Sequence, residues 1–244
     1  MSTTTATYTR YEMLRTFRST RFFVFSLGFP IVLYFLVAGP NRDQELGGVA
    51  FPLYYMTGMA SWGSMMAVMA SGARIAGERS VGWNRQLQIT PLPTRVYFRA
   101  KIVTGYAMAA LTIGLLYLSG VMLGVRLSAG SWLTMTGLIL VGLVPFAVLG
   151  VLLGHLLTVD SMGPAMGGIT ALFALLGGAW GPLASTGALN DIAQLLPSYW
   201  LVQAGHSAMD GGGWPLKGWL VILVWTAVLT RITVRVYRRD TSRV

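Results

Sequence analysis

The chain has no cysteine, two lysines and two histidines in 244 residues, and only 11% of it is charged. The lack of cysteine excludes disulfides, thiolate nucleophiles and cysteine-ligated metals together. The lysines, Lys101 and Lys217, follow Ala100 and Leu216, so no Gly-Lys-Ser/Thr sequence exists to cradle a nucleotide phosphate. ATP binding by that motif is therefore excluded. A soluble domain of this length carries about a quarter charged residues, so the shortage of charge argues against one.

Catalytic and metal-binding groups are equally sparse. His155, Asp160 and Ser161 lie close in sequence, but no G-x-S-x-G surrounds any serine. A helix-end histidine and a loop aspartate account for them. His206 and Asp210 have the i, i+4 spacing of two metal ligands without a third, which reads as a solvated helix face. No metal or cofactor is expected on this chain. Nor does any span carry an acid or base at its centre, as ion-coupled transport would require, so a driving force is expected from outside the polypeptide.

What the chain has in quantity is apolar sequence: 54% hydrophobic residues and a mean hydropathy of +0.61. Six stretches read as membrane spans, at Phe22–Ala38, Phe51–Ala73, Ile102–Val125, Trp132–Leu157, Pro164–Leu183 and Gly218–Leu229. The basic residues crowd into three of the gaps. Arg10, Arg15, Arg18 and Arg21 precede the first span, and Arg74, Arg79, Arg85, Arg95, Arg99 and Lys101 separate the second from the third. Arg231, Arg235, Arg238, Arg239 and Arg243 close the chain. Six spans place all three groups on one side, which the positive-inside rule makes cytoplasmic, with both termini.

The net charge of +10 thus follows the membrane boundary and gives no reason to expect nucleic-acid binding. The first span has a long polar lead and no A-x-A exit, so it reads as retained. The preference for arginine over lysine suggests a high-GC bacterial genome and hence a bacterial cytoplasmic (inner) membrane. No repeat or soluble domain is visible, and residues 1–244 read as a single transmembrane domain.

Two motifs narrow the class. Glu78-Arg79-Ser80-Val81-Gly82-Trp83-Asn84-Arg85-Gln86-Leu87-Gln88-Ile89-Thr90-Pro91-Leu92 resembles the intracellular signature E-R-x-x-G-T-L-E-Q-L-x-x-T-P-L of type 2 ABC exporter permeases. Gly177-Gly178-Ala179-Trp180-Gly181-Pro182, followed by Leu195-Leu196-Pro197-Ser198-Tyr199, is similar to that family's Gly-Gly-x-x-x-Pro and Leu-x-Pro-x-Tyr region. The resemblance implies an ABCG-like, all-α membrane fold with six transmembrane helices. It also implies an N-terminal interfacial helix at 8–21, a short coupling helix within 78–92, and re-entrant helices at 184–215 before the last span. It further implies a dimer with a second permease copy or paralogue, and a separate ABC ATP-binding subunit carrying ATP and Mg.

Under that resemblance Glu78, Arg79, Gly82, Trp83, Arg85, Leu87 and Pro91 engage the ATPase. Trp83 and Leu87, one helical turn apart, form an apolar knob, and Pro91 and Pro93 end the helix. Glu78 and Arg79 serve as hinge or ion-pair residues at the membrane edge. Trp83, Asn84 and Arg85 replace the usual Thr, Leu and acid, which points to a dedicated ATPase partner; the alternative is that Arg85 belongs simply to the positive-inside set.

On the second span Tyr55, Met59, Trp62, Met66 and Met69 fall within one arc of a helical wheel, opposite Thr57, Ala60, Ser64, Ala67 and Ser71. Phe173 and Trp180 belong to a weaker stripe on the fifth. Together they are the expected substrate path at the dimer interface, for hydrophobic or amphipathic small molecules such as drugs, antibiotics or lipids. Plain helix packing is the alternative for any one of these residues. Alternative functions are export of a lipid-linked glycan, a membrane-embedded enzyme, and a non-transporting scaffold. Four G-x-x-x-G pairs, Gly120–Gly124, Gly150–Gly154, Gly163–Gly167 and Gly177–Gly181, are expected to serve packing within the subunit.

Overall fold

Prolines and small capping residues cut the apolar sequence into helices. The computed structural model describes residues 3–19, 24–46, 48–83, 86, 89–90, 93–182, 186–209 and 212–241. Helix α1 is Thr3–Phe17; a π-helical turn, Val24–Gly28, leads into α2, Phe29–Ala38. Pro30 sits in the first turn of α2, where a missing N–H costs no hydrogen bond. A hairpin of β1, Glu45–Leu46, and β2, Val49–Ala50, pairs Glu45 with Ala50 and introduces α3, Phe51–Ser80.

Helix α4 is Thr94–Met122, starting directly after Pro93. One long apolar run then divides at Leu143 into α5, Ala129–Gly142, and α6, Val144–Leu156, because Pro145 cannot donate into the preceding turn. Helix α7, Val159–Gly177, opens with a capping box between Thr158 and Ser161 and stops at Gly178, which takes the left-handed conformation with φ 78°. Two shorter helices follow, α8, Ala188–Ala193, and α9, Pro197–Met209, before α10, Leu216–Thr241.

Among the described residues, four helices are long and apolar enough to cross a membrane: α4, the α5–α6 pair, α7, and Leu216–Arg238 of α10. Ser26–Ala38 forms a shorter apolar helix. Helix α3, at 30 residues or about 45 Å, has the length but a composition diluted by Gly, Ser, Thr and Tyr.

Several boundaries move relative to the apolar runs. The second run was expected to end at Ala73, yet α3 continues to Ser80 and carries Arg74, Glu78 and Arg79 as helical residues. The third helix begins at Thr94 rather than Ile102, the fifth spans Val159–Gly177 rather than Pro164–Leu183, and the last runs from Leu216 to Thr241. Hydropathy marks where hydrocarbon would end, whereas caps and prolines mark where a helix ends. Where an interfacial helix is expected, at 8–21, a helix covers Thr3–Phe17; residues 20 and 21 lie outside the described residues.

Helix α3 is the axis of the bundle. It packs against α4 and α6 most extensively, and also against α2, α7 and α9. Contact with α6 is backbone to backbone: a Cβ added at Gly72 would lie 2.4 Å from the Val151 nitrogen, and one at Gly154 would lie 2.6 Å from the Gly72 oxygen. Only glycine fits there. The Gly150–Gly154 pair therefore packs within the subunit, as expected. Gly163 and Gly167 do not, because an added Cβ at either meets nothing within 4 Å. That pair faces outward, since α7 lies at the side of the bundle.

Hydroxyls on α3 fix its neighbours. Ser61 Oγ donates to the Leu201 carbonyl of α9 at 2.9 Å, and Ser71 Oγ to the Lys101 carbonyl of α4 at 2.8 Å. In an apolar surround such bonds hold register, since an unmade one leaves a buried polar group.

Candidate functional site

At the end of the bundle where α3 meets the basic loop, three helices bring charged groups into the protein interior. Glu78, in the last turn of α3, accepts from Lys101 Nζ at 2.5 Å and from Arg15 Nη1 at 3.0 Å through Oε1. Its Oε2 accepts from Tyr97 Oη at 2.5 Å. Lys101 Nζ also donates to Glu12 Oε1 of α1 at 2.5 Å and lies 5.4 Å from the Tyr97 ring centroid. Arg74 donates to the Thr16 hydroxyl, and that hydroxyl donates to the Glu12 carbonyl at 3.0 Å.

Lys101, Glu12 and Glu78 are all buried, whereas the Arg15 side chain is 61% exposed. The Lys101 pairs consequently hold the cluster, and the Arg15 bridge is screened by its surroundings. The sequence groups Lys101 with the loop arginines as a basic residue between the second and third spans. Unlike the exposed Arg15, its ammonium is enclosed, because two carboxylates and a ring face compensate its lost hydration.

The cluster clamps both flanks of the loop, Glu78 at its entrance and Lys101 beyond its exit, and ties both to α1. Arg79, expected as a hinge or ion-pair residue, donates to the carbonyls of Gly154, at 3.3 Å, and His155. It thus caps the end of α6. Phe98, His155 and Tyr237 meet ring to ring, at 5.9 Å for Phe98–His155, 5.6 Å for His155–Tyr237 and 5.2 Å for Phe98–Tyr237. The same end of α10 is joined to the assembly by this contact.

Gly82 follows α3 with φ 70°, a left-handed turn that suits glycine. Next to it, Trp83 is exposed, on the side of Tyr8. Burial, with Glu12 and Glu78 nearby, pushes the Tyr8 phenol up to about 12, so it is protonated at neutral pH. Arg85, Leu87 and Pro91 lie outside the described residues.

The proposed path residues separate. Met59 and Met69 have no exposed surface, and Tyr55 is buried between Tyr34 and Phe51. Met66 is partly buried against the same core. Phe173 contacts Phe146 at 5.2 Å and Trp225 at 6.5 Å, which places it among α6, α7 and α10. Trp62 and Trp180, by contrast, meet edge to face at 5.2 Å, and Trp62 also meets Phe29 at 5.7 Å. Phe29 and Trp180 are exposed, while the Trp62 indole N–H is buried with no hydrogen-bond partner among the described residues. An unused donor beneath an open aromatic surface is a feature a ligand can satisfy.

At the other end of the bundle the Gly-Gly and Leu-x-Pro-x-Tyr segments come together. With Tyr54, Asn190, Gln194, Gln203 and His206, residues Gly177, Gly178 and Tyr199 line a cavity of about 250 Å³. Tyr54 Oη donates to the Gly178 carbonyl at 3.2 Å and its ring stacks on His206 at 5.1 Å. His206 Nδ1 lies 3.1 Å from Gln203 Oε1. Asp210 lies outside the described residues, and no cluster of three potential metal ligands occurs among those described.

Sequence reasoning missed Glu12, Tyr97 and the inward role of Lys101. A faint signal was present: Glu12 and Glu78 are acids in two otherwise basic segments, and Lys101 is one of two lysines in an arginine-rich chain. Their pairing across 89 positions has no periodicity to reveal it.

Residues 34–234 match the family described as "ABC-2 family transporter protein". The chain is also 30% identical over 235 residues to a protein of Bacillus subtilis (strain 168) described as "Putative transport permease YvfS", covering 94% of this chain and 95% of that one.

Proposed function

Because the chain belongs to the ABC-2 family of transporter proteins, we propose that it is the membrane subunit of an ATP-driven exporter of hydrophobic or amphipathic small molecules. It pairs with a second copy or a paralogue and borrows ATP and Mg chemistry from a soluble ABC ATP-binding subunit. The proposal has α1 on the inner leaflet, six spans formed by α2, α3, α4, α5–α6, α7 and α10, and both termini in the cytoplasm of a bacterial cell. Helices α8 and α9 then cap the outer side.

The observation that carries this reading is the buried Glu12–Lys101–Glu78 cluster. An ATPase pressing on residues 78–92, through Gly82, Trp83, Arg85, Leu87 and Pro91, would move α1, α3 and α4 as one unit. A push on a loose loop would be absorbed locally, whereas one on clamped helix ends reaches the bundle. The substrate surface we favour is Trp62, Trp180 and Phe29, with Met66 beside them. Tyr55, Met59, Met69 and Phe173 support it from the core.

A lipid-linked glycan is the second reading. It is favoured by the outer cavity, whose phenols and amides suit sugar hydroxyls.

The test is coexpression with an ABC ATPase encoded beside this gene, copurification, and ATP-dependent transport in vesicles. Stable copurification and transport of amphipathic dyes are expected. Failure of such ATPases to bind, or activity of the chain alone, would overturn the proposal. Since the chain lacks cysteine, single thiols introduced at Ser80 and Gly130 report topology: only the second should react with an impermeant maleimide from outside.

A further inference from the structure

Helix α1 buries Glu12 and Thr16 against α3 and α4 while Tyr11, Leu14 and Phe17 are exposed together with Arg10 and Arg15. Exposed apolar side chains interleaved with arginines suit the boundary between acyl chains and headgroups.

On this outward side a groove of about 440 Å³ runs between α1 and the start of α4. Met13, Leu14, Phe17 and Val103 give it apolar walls, and Arg10 and Arg99 both border it. Arg99 and Val103 are one helical turn apart on α4, as are Arg10 and Leu14 on α1, so each helix offers a guanidinium followed by an apolar side chain. The apolar run of α4 starts at Ile102, so Arg99 stands at the level where headgroups meet acyl chains. Among the described residues neither Arg10 nor Arg99 has a carboxylate partner, unlike Arg15. Two cations at the mouth of an apolar cleft complement an anionic phosphodiester carrying acyl chains.

We propose that the α1–α4 groove is a binding site for one anionic phospholipid, its phosphate between Arg10 and Arg99 and an acyl chain along Met13, Leu14, Phe17 and Val103. The lipid would seat α1 against α4 beside the Glu12–Lys101 pair. This rests on the reading of α1 as an interfacial helix, whereas the lipid assay does not depend on which leaflet that helix occupies.

Native mass spectrometry of the full-length chain in detergent is the test, titrating phosphatidylglycerol, phosphatidylcholine or inorganic phosphate. Phosphatidylglycerol should be retained in preference to phosphatidylcholine, and inorganic phosphate should not displace it. The Arg10→Gln/Arg99→Gln double variant should weaken retention about 30-fold, at the scale of two basic side chains at an anionic lipid surface. Arg235→Gln, an exposed arginine outside the groove, should leave it unchanged. Should the double variant fail to fold, Val103→Trp fills the cleft from an exposed position, keeps both arginines, and should lower retention as well. Equal retention of both lipids, displacement by inorganic phosphate, or equal losses in Arg235→Gln and the groove variants would each overturn the site. Maleimide labelling at Ser80 judges the orientation separately, so a wrong topology and an absent lipid site give different results.

Discussion

Helices α3 and α10 have similar lengths, 30 and 26 residues, and opposite surroundings. Helix α3 is buried along nearly its whole length, yet it is rich in glycine, serine, threonine and tyrosine. Helix α10 presents Leu220, Leu223, Val224 and Val228 to the outside. In water the more apolar helix would be the inner one. In lipid the driving force between helices is close packing and hydrogen bonding rather than exclusion of apolar surface, so the small and weakly polar helix takes the centre. The groups to which the proposed function assigns force transmission and ligand contact accordingly lie on α3 and its contacts, and not on α10.

The most severe way to break this contrast is Gly72→Leu, which drives a side chain into the Val151 backbone. We expect a loss of about 4 kcal/mol or more, seen as absence of a monodisperse peak in detergent. Lys101→Met comes next, at about 3–5 kcal/mol, because it leaves Glu12 and Glu78 buried without their shared cation. Adding Glu12→Gln and Glu78→Gln should recover much of that in a thermal melt; no recovery would mean that the cluster is not the source of the loss. Met59→Ala should cost about 2–5 kcal/mol as a cavity in the core.

Trp62→Phe addresses function rather than stability. It removes the unpaired indole N–H while keeping an aromatic ring, and should change substrate-stimulated ATP hydrolysis in the assembled complex more than it changes the melt. Unaltered stimulation across several substrates would remove Trp62 from the path. The smallest effect belongs to Leu223→Ala on α10, within about 0.5 kcal/mol, as for other substitutions away from the core. A large loss there would show that a partner subunit covers this side.

Much of the site was legible in part. The Glu78-Arg79 motif stands out through its resemblance to a permease signature, and Glu78 pairs with Lys101 and Arg15. The motif did not reveal that α3 runs on to Ser80, or that Arg79 reaches the α6 carbonyls, since a local pattern says nothing of what packs beside it. The stripe Tyr55–Met59–Trp62–Met66–Met69 was visible as an arc. Helical spacing cannot tell a sealed arc from an open one, and among the described residues the part at Trp62 is the one that adjoins exposed rings.

Composition and order alone determined that this is a helical membrane protein without a Gly-Lys-Ser/Thr nucleotide loop, whereas the permease class rests on the resemblance of two motifs and on the family match. Those properties are additive along the chain: hydropathy, charge placement and missing residue types need no partner to be read. Which glycines touch, which lysine is enclosed and which aromatic donor stays unused were decided only by the tertiary structure. Each depends on groups tens of residues apart meeting at distances of a few ångströms, where the hydration lost by one must be replaced by the other.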